Sequence, residues 1–434
     1  MGMSEQKVMN RWLVVVGAIL MQLCLGAIYA WSVFTPKLVD KAGKYGFSAT
    51  QAAWIFSVGI LVFAFTMIIS GRMMAKVGPK RLSVASAIVL GGGYVLGGLF
   101  GSTFISQLIL IGFVGGIGIG LGYVVPIAVG VKWFPDKKGL VTGLAVAGFG
   151  FGATMWVKSA GSWFRLLDNL NFFGLGGVQS VFLLYGVIFF ILIFLGSIVM
   201  IDPPAGYAPA GWKPPDPAAG GSASGTVDFM PGEMMKKPQF YMTWLTFLFS
   251  SMAGLMVISC IALLGMDALS ANGMAKDVAR GVAGTAMAWY AILNGLGRIV
   301  WGSVSDKIGR KVAIFLMCLF QGIIMFLFYK MSGAAATLII GACIIGFNFG
   351  GNFALFPAIT ADYFGNKNVG LNYGYVFVSY GIAGVLGPQI AGFFKDAAKG
   401  STDPAVWITP LMIAGVACFV GAFITLLQKP PKKA

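Results

Sequence analysis

Long apolar stretches alternate with short polar breaks along the whole chain. Twelve of the stretches are long enough for the roughly 20 residues that a membrane-spanning helix needs. Each is a continuous apolar run, whereas the strands of a membrane barrel alternate between apolar and polar positions. The pattern therefore predicts spanning helices near residues 12–34, 50–70, 82–101, 105–131, 139–163, 178–200, 239–265, 283–304, 312–331, 335–360, 369–393 and 405–427.

The longest polar break divides these helices into two groups of six. It covers residues 202–237, opens with Asp202-Pro203-Pro204 and is rich in Pro, Gly and Ser. Such a composition is typical of a flexible linker. We therefore predict an N-terminal six-helix half over 1–201, a cytoplasmic linker over 202–237 and a C-terminal six-helix half over 238–434.

Composition and charge agree with a membrane protein. Hydrophobic residues make up 58% of the chain and charged residues 10%, with a mean hydropathy of +0.86. The net charge is +16, but the basic residues lie between the apolar runs and form no patch for nucleic acid. With the N-terminus inside, 19 of the 30 Lys and Arg residues are cytoplasmic and 10 are external. This bias predicts a multi-pass inner-membrane protein, surrounded by lipid, with both termini in the cytoplasm.

Two loops of the chain repeat each other. Residues 71–81 and residues 302–311 both begin with glycine and are rich in basic residues, and the two glycines are 231 residues apart. Pro126 and Pro357 have the same separation. Parallel repeats of this kind build transporters whose binding site lies between the halves.

The second loop, from Gly302 through Asp306 to Lys311, follows a pattern that resembles the signature of the major facilitator superfamily; the first departs from it at Ala75 and Pro79. Within that superfamily the chain is similar to the monocarboxylate transporters and oxalate/formate exchangers, including bacterial L-lactate transporters. The resemblance implies an all-α membrane fold of twelve helices in two six-helix repeats, and symport of a proton with a monocarboxylate. The stretches that carry the resemblance are residues 29–31, 133–140, 294–302, 349–357 and 372–374.

Arg298 is the main candidate for substrate binding. It lies eight residues before Asp306, so about 12 Å deeper along the helix. A charge at such depth costs at least ~2.5–3.5 kcal/mol and usually marks a functional site, and a guanidinium matches a carboxylate bidentately. The resemblance also assigns the substrate-binding arginine to this position. The alternative is an arginine that is paired structurally or reaches the membrane surface.

Asn294 lies one helical turn before Arg298, on the same face. Animal members of the family carry an acid here, so the asparagine leaves Arg298 without a counter-ion on its own helix. The substrate carboxylate is then the expected partner. Hydrogen bonding between helices is the alternative role for Asn294.

Five aromatic residues complete the predicted substrate site. Tyr123 is a candidate hydrogen-bond donor to the substrate. The resemblance implies that Phe349 and Phe353, four residues apart, are walls of the anion cavity, and Tyr29 is a further wall candidate. Tyr380 stands where oxalate exchangers carry a lysine, which leaves one fixed cation and favours a monocarboxylate over a dianion. Aromatic packing is the alternative role for these side chains.

The loop after Arg298 carries the charges that we expect to act in gating. Asp306, Lys307 and Arg310 are predicted to form a cytoplasmic charge network that stabilises one conformer. No metal site, cofactor or disulfide framework is expected, because the five cysteines lie inside apolar runs. The chain has no histidine, which excludes a histidine proton relay.

These features together predict a secondary active transporter, not an enzyme. The expected substrate is a small organic anion such as L-lactate or pyruvate, moved with a proton by alternating access in a monomer. Two alternatives stay open. One is a carboxylate exchanger of the oxalate–formate type, and the other is a membrane sensor that binds anions without transporting them.

Overall fold

The structure is a computed structural model that describes residues 9–204, 207–209, 228–365, 368–399 and 401–431. Over these ranges twelve long helices run back and forth through one bundle, so the predicted fold class is confirmed. The helices are α1 (Trp12–Leu25), α2 (Ala49–Val77), α3 (Pro79–Phe100), α4 (Gly115–Trp133), α5 (Lys138–Lys158), α6 (Val178–Ile198), α7 (Pro238–Ala271), α8 (Lys276–Ile308), α9 (Arg310–Met331), α10 (Ala335–Phe364), α11 (Val369–Ala397) and α12 (Ile408–Leu427).

Shorter elements extend or join the long helices. Three of them continue a long helix with altered winding: a 3₁₀ segment at Gly26–Val33 after α1, and π-helical turns at Leu108–Val114 before α4 and Ser159–Trp163 after α5. Asn171–Phe172 (β1) and Leu175–Gly176 (β2) form a small antiparallel hairpin before α6. The other elements are the short helices Thr35–Val39, Phe104–Gln107, Leu166–Asn169 and Pro231–Met234 and the 3₁₀ helix Pro404–Trp407.

Within the described ranges, ten spans are long and apolar enough to cross a membrane, and α8 is not among them. α8 begins at Lys276, earlier than the predicted start near 283. The hydropathy pattern does not predict the first turns of α8 because they contain Lys276, Asp277 and Arg280. These residues lie where the helix emerges from the apolar bundle. α5 and α8 pack against each other.

The two halves, α1–α6 and α7–α12, meet along two main seams. α2 packs against α11, and α5 packs against α8. Glycine allows close approach along the second seam, since a Cβ added to Gly150 would lie 2.8 Å from the carbonyl oxygen of Ala291. Within the first half the need for glycine at a helix contact is stricter, because a Cβ on Gly26 would lie 1.9 Å from the carbonyl oxygen of Phe149.

We call the end of the bundle where α1 begins and α12 ends the near face, and the opposite end the far face. The linker residues 205–206 and 210–227 lie outside the described residues. The described end of the linker packs on the near face, where the N–H of Phe229 donates to the carbonyl of Phe364 at 3.0 Å. The side-chain amides of Asn368 and Asn372 donate to the carbonyl of Phe229 at 3.1 and 3.0 Å.

Candidate functional site

A cavity of about 1230 Å³ lies between the two halves. Its lining reaches from Arg298 inside the bundle to Asp306 and Val369 at the near face. It is bounded by α2 and α4–α5 from the first half and by α8, α10 and α11 from the second. The cavity therefore connects the interior of the bundle with the near face.

Arg298 lies at the inner end of this cavity and is 6% exposed. Its Nε and Nη2 donate to Oδ1 of Asn294 at 3.2 and 3.0 Å, and its Nη1 donates across the seam to the carbonyl of Val146 at 3.3 Å. None of the ion pairs within the described ranges includes Arg298. The guanidinium is thus held by neutral groups, and a carboxylate in the cavity would supply the missing negative charge.

Two aromatic side chains flank the guanidinium on the cavity wall. The guanidinium carbon lies 4.1 Å from the centroid of the Phe353 ring, within the range of a cation–π contact. The hydroxyl of Tyr123 lies near the same guanidinium, and both aromatic residues line the cavity. Arg298, Tyr123 and Phe353 therefore combine a charge, a hydroxyl and an apolar wall at one point.

A layer of buried aromatic side chains lies on the far side of Arg298. The hydroxyls of Tyr29 and Tyr380, from opposite halves, are 2.6 Å apart and form a hydrogen bond. The ring centroid of Tyr29 lies 5.0 Å from that of Phe149 and 6.0 Å from that of Phe349. Tyr29, Phe349 and Tyr380 are fully buried and do not line the cavity. We call Tyr29, Phe149, Phe349 and Tyr380 the aromatic layer. This layer closes the cavity towards the far face.

Beyond the aromatic layer, both seams are joined by hydrogen bonds. Along α2–α11, the carboxylate of Asp396 accepts the backbone N–H groups of Ala49 and Thr50 at 2.7 and 2.8 Å. The Gln389 side chain donates to the Ser57 hydroxyl at 3.3 Å. These contacts hold the far face closed.

The α5–α8 seam is joined in the same way. The Thr154 hydroxyl donates to the carbonyl of Ala288 at 2.9 Å, and Nζ of Lys158 donates to the Thr285 hydroxyl at 2.7 Å. A closed far face and a cavity reaching the near face together describe a conformation open at one end.

Charged residues gather at the near face. Arg310 lies 2.5 Å from Asp306 and 3.6 Å from Asp362, which joins the start of α9 to α8 and α10. Lys307 is exposed and takes part in no ion pair of the described ranges. In the first half, Arg11 donates to both oxygens of Asp136 at 2.6 and 3.0 Å and lowers the pKa of that carboxyl below its ordinary value.

Comparison with known proteins agrees with this architecture. A family model described as the Major Facilitator Superfamily matches residues 12–275 and 255–434.

The chain belongs to the Major Facilitator Superfamily.

Relatives within the superfamily include transporters of small organic anions. The chain is 30% identical over 391 residues to an uncharacterized transporter of the superfamily, YhjX of Escherichia coli (strain K12), covering 87% of this chain and 86% of that protein. It is 27% identical over 426 residues to the oxalate:formate antiporter of Oxalobacter formigenes, covering 96% and 91%. It is 23% identical over 452 residues to apicoplast pyruvate carrier 1 of Toxoplasma gondii, covering 85% and 81%. This multi-pass membrane protein is therefore a transporter of the superfamily.

A solved structure shares the fold of this superfamily member. It is a bacterial homologue of the human lysosomal transporter Spinster, in an inward-facing and unoccupied conformation. The two match with a TM-score of 0.64 over 95% of each chain, at 18% sequence identity. At that identity the match bears on the fold alone.

The structure brings the seven predicted substrate residues into two adjoining groups. Arg298, Tyr123 and Phe353 line the cavity. Asn294 is fully buried and orients the guanidinium, while its Nδ2 has no hydrogen-bond partner. The other three residues, Tyr29, Phe349 and Tyr380, belong to the aromatic layer.

Sequence reasoning missed the residues that close the far face. Asp396 follows the apolar run 369–393, where an acid resembles an ordinary helix flank. Its backbone partners Ala49 and Thr50 are more than 340 residues away. A repeat comparison offers one signal, since Gln389 and Lys158 are separated by the same 231 residues as the repeated loop glycines.

Proposed function

We propose that the protein is a secondary active transporter of small monocarboxylates, with L-lactate as the leading substrate, moved together with a proton. The observation that carries this proposal is Arg298, a buried guanidinium with no carboxylate partner in the described ranges, at the inner end of a cavity between two repeated halves. A planar guanidinium fits a carboxylate bidentately. The relatives named for oxalate, formate and pyruvate support the same class of substrate.

The charges around the cavity favour a monoanion. Among the described residues that line it, Arg298 is the only Lys or Arg, and Asp306 at its rim is the only acid. A dianion would keep one charge unpaired in a medium of low dielectric constant, which is costly. Tyr380 supports this argument. It places a neutral hydroxyl in the aromatic layer at the position where oxalate exchangers carry a lysine, and a second cation there would favour oxalate.

The proton is proposed to accompany the substrate carboxylate. Among the described residues, no acid lines the inner end of the cavity. The one acid in the lining, Asp306, lies at the rim, and its side chain is 65% exposed. Carboxylate and proton together carry no net charge, so their movement past the apolar walls avoids burying an isolated anion.

We further propose that the near face is cytoplasmic and the far face external, in an inner-membrane protein that works as a monomer. The excess of Lys and Arg at the near face supports this orientation. The conformation described is then inward-open, with the far-face contacts of both seams and the aromatic layer closed. Transport would follow from rocking of α1–α6 against α7–α12 around Arg298.

The proposal is tested by uptake of radiolabelled L-lactate into proteoliposomes, with and without an inward-directed proton gradient. Uptake is expected to rise with the gradient and to be reduced by unlabelled pyruvate but not by oxalate. Uptake that is indifferent to the gradient would refute proton symport.

Substitution of Arg298 tests the site itself. We expect Arg298→Ala to abolish uptake, and Arg298→Lys to retain a small part, because lysine keeps the charge but loses the bidentate fork. Arg81→Gln, at an exposed near-face position, is the matched control and should transport normally. Normal uptake by correctly folded Arg298→Ala would contradict the assignment of the site.

The second candidate is a carboxylate exchanger, which the 27% identity to an oxalate:formate antiporter favours. An exchanger would show little uptake into empty vesicles and strong uptake into vesicles preloaded with a carboxylate. Comparable uptake into empty and preloaded vesicles would exclude it.

A further inference from the structure

The α5–α8 seam carries a cation at each end of its closed part. Near the cavity, Arg298 of α8 donates to the carbonyl of Val146 of α5 at 3.3 Å. At the far face, Lys158 of α5 donates to the hydroxyl of Thr285 of α8 at 2.7 Å. The two contacts are twelve residues apart along α5, or about 18 Å. Both cations therefore face the partner half along one line through the protein.

Lys158 differs from the two far-face lysines that form ion pairs. Lys395 lies 2.6 Å from Asp267, and Lys37 lies 2.8 Å from Asp168. Lys158 is half-buried, and none of the ion pairs within the described part of the chain includes it. Its hydrogen-bond partner is the neutral hydroxyl of Thr285, so the positive charge of Lys158 is not balanced within the seam.

The second half of the chain shows that closing a seam needs no charge at this position. Gln389 lies 231 residues after Lys158, which is the separation of the repeated loops. It occupies the equivalent place on α11 and donates to the hydroxyl of Ser57 on α2 at 3.3 Å. A neutral amide thus makes the corresponding contact. The positive charge of Lys158 therefore calls for a purpose other than closing the far face.

We propose that Lys158 is the entry site for the substrate carboxylate when the far face is open. Separation of α5 from α8 would break the contact with Thr285 and leave an unpaired ammonium at the mouth of the path to Arg298. A hydrogen bond between an ammonium and a carboxylate is shorter and stronger than one to a hydroxyl. A fixed cation in a cleft also raises the local concentration of anions. The inference rests on the proposed function and adds to it a second anion site.

The test compares three variants in membrane vesicles of known orientation. Lys158→Gln keeps a donor for Thr285 and removes the charge, Lys158→Arg keeps the charge, and Thr285→Val removes the hydroxyl while Lys158 stays. For each we would measure the half-saturating L-lactate concentration for influx from the far side and for efflux from the near side.

We expect Lys158→Gln to raise the far-side half-saturating concentration about tenfold, as the loss of one charge-assisted contact implies, and to leave the near-side value unchanged. Lys158→Arg and Thr285→Val should keep far-side values close to that of the unaltered protein. An unchanged far-side value in Lys158→Gln would overturn the inference. Equal increases in Lys158→Gln and Thr285→Val would also overturn it, because they would show that the contact matters and the charge does not.

The unaltered protein separates this inference from the proposed function. If it transports no monocarboxylate, the proposed function fails and the entry site fails with it. If it transports L-lactate through an essential Arg298 while Lys158→Gln behaves as the unaltered protein on both sides, only the entry site fails.

Discussion

The carboxylate of Asp396 joins the two halves of the transporter at the far face. Its two oxygens accept the N–H groups of Ala49 and Thr50 at 2.7 and 2.8 Å, at the start of α2. These groups have no partner within their own helix, and the N-terminal end of a helix favours a negative charge. Because it joins the two halves, the proposed rocking movement would break this contact when the far face opens. Asp396→Ala should therefore shift the protein towards the conformer that is open at the far face.

The size of the shift follows from the two hydrogen bonds. A hydrogen bond to a charged group contributes about 1.5–3 kcal/mol, so two bonds set an upper limit of about 3–6 kcal/mol. Asp396 is half-buried, and in the open conformer water would hydrate both the carboxylate and the two N–H groups. We therefore expect a net loss of about 2 kcal/mol, which changes the ratio of the two conformers about 30-fold.

Accessibility of the far-face seam measures this ratio. Ser57 is fully buried in the α2–α11 seam, so Ser57→Cys should react with a membrane-impermeant maleimide from the far side only when that face opens. A Cys343→Ala background removes the one native cysteine that is not buried. The labelling rate should rise about 30-fold when Asp396→Ala is added.

A second far-face acid supplies the control. Asp403 accepts the N–H of Ala405 at 2.8 Å within its own half, so Asp403→Ala should leave the labelling rate of Ser57→Cys unchanged. An equal labelling rate with and without Asp396→Ala would refute the reasoning that this carboxylate stabilises the closed far face.

Two further predictions concern stability. Gly26→Ala should lower the free energy of unfolding by about 1–3 kcal/mol through overpacking, because the added Cβ would meet the carbonyl of Phe149. The control is Gly92→Ala, which should leave the free energy of unfolding unchanged because nothing lies within 4 Å of its added Cβ. Equal melting temperatures of the two variants would contradict this prediction. Asp136→Asn should lower the melting temperature at neutral pH. Since Arg11 holds the pKa of Asp136 below 3.8, this difference should shrink as the pH falls below that value, and a difference that persists there would contradict the pairing.

The spans and the general location of the candidate site could be predicted from the sequence because both predictions depend on local properties. Continuous apolar runs report burial in lipid whatever the neighbouring helix is, and the twelve-helix fold is confirmed. Arg298 was recognisable because a charge inside an apolar run is costly anywhere in a membrane. The start of α8 at Lys276 was not recognisable by the same rule, since its first turns are polar.

Contacts between the halves could not be predicted in the same way. Tyr29 and Tyr380 share a hydrogen bond at 2.6 Å although they are 351 residues apart. Periodicity identifies which face of each helix is apolar, but it does not give the register between two helices that belong to different halves. Under the proposed rocking of the two halves, such contacts also belong to one conformer only, so the sequence would not show them as a single pattern.

The two seams are related by the repeat, but they differ in how charge is used. On the α2–α11 seam the far face is closed by an anion, Asp396, on backbone N–H groups and by the neutral Gln389. On the α5–α8 seam the cations Lys158 and Arg298 lie at the two ends of the closed part. An anion entering between the halves would be repelled by the carboxylate on the first seam and attracted along the second. The path of the substrate is therefore expected to follow α5 and α8.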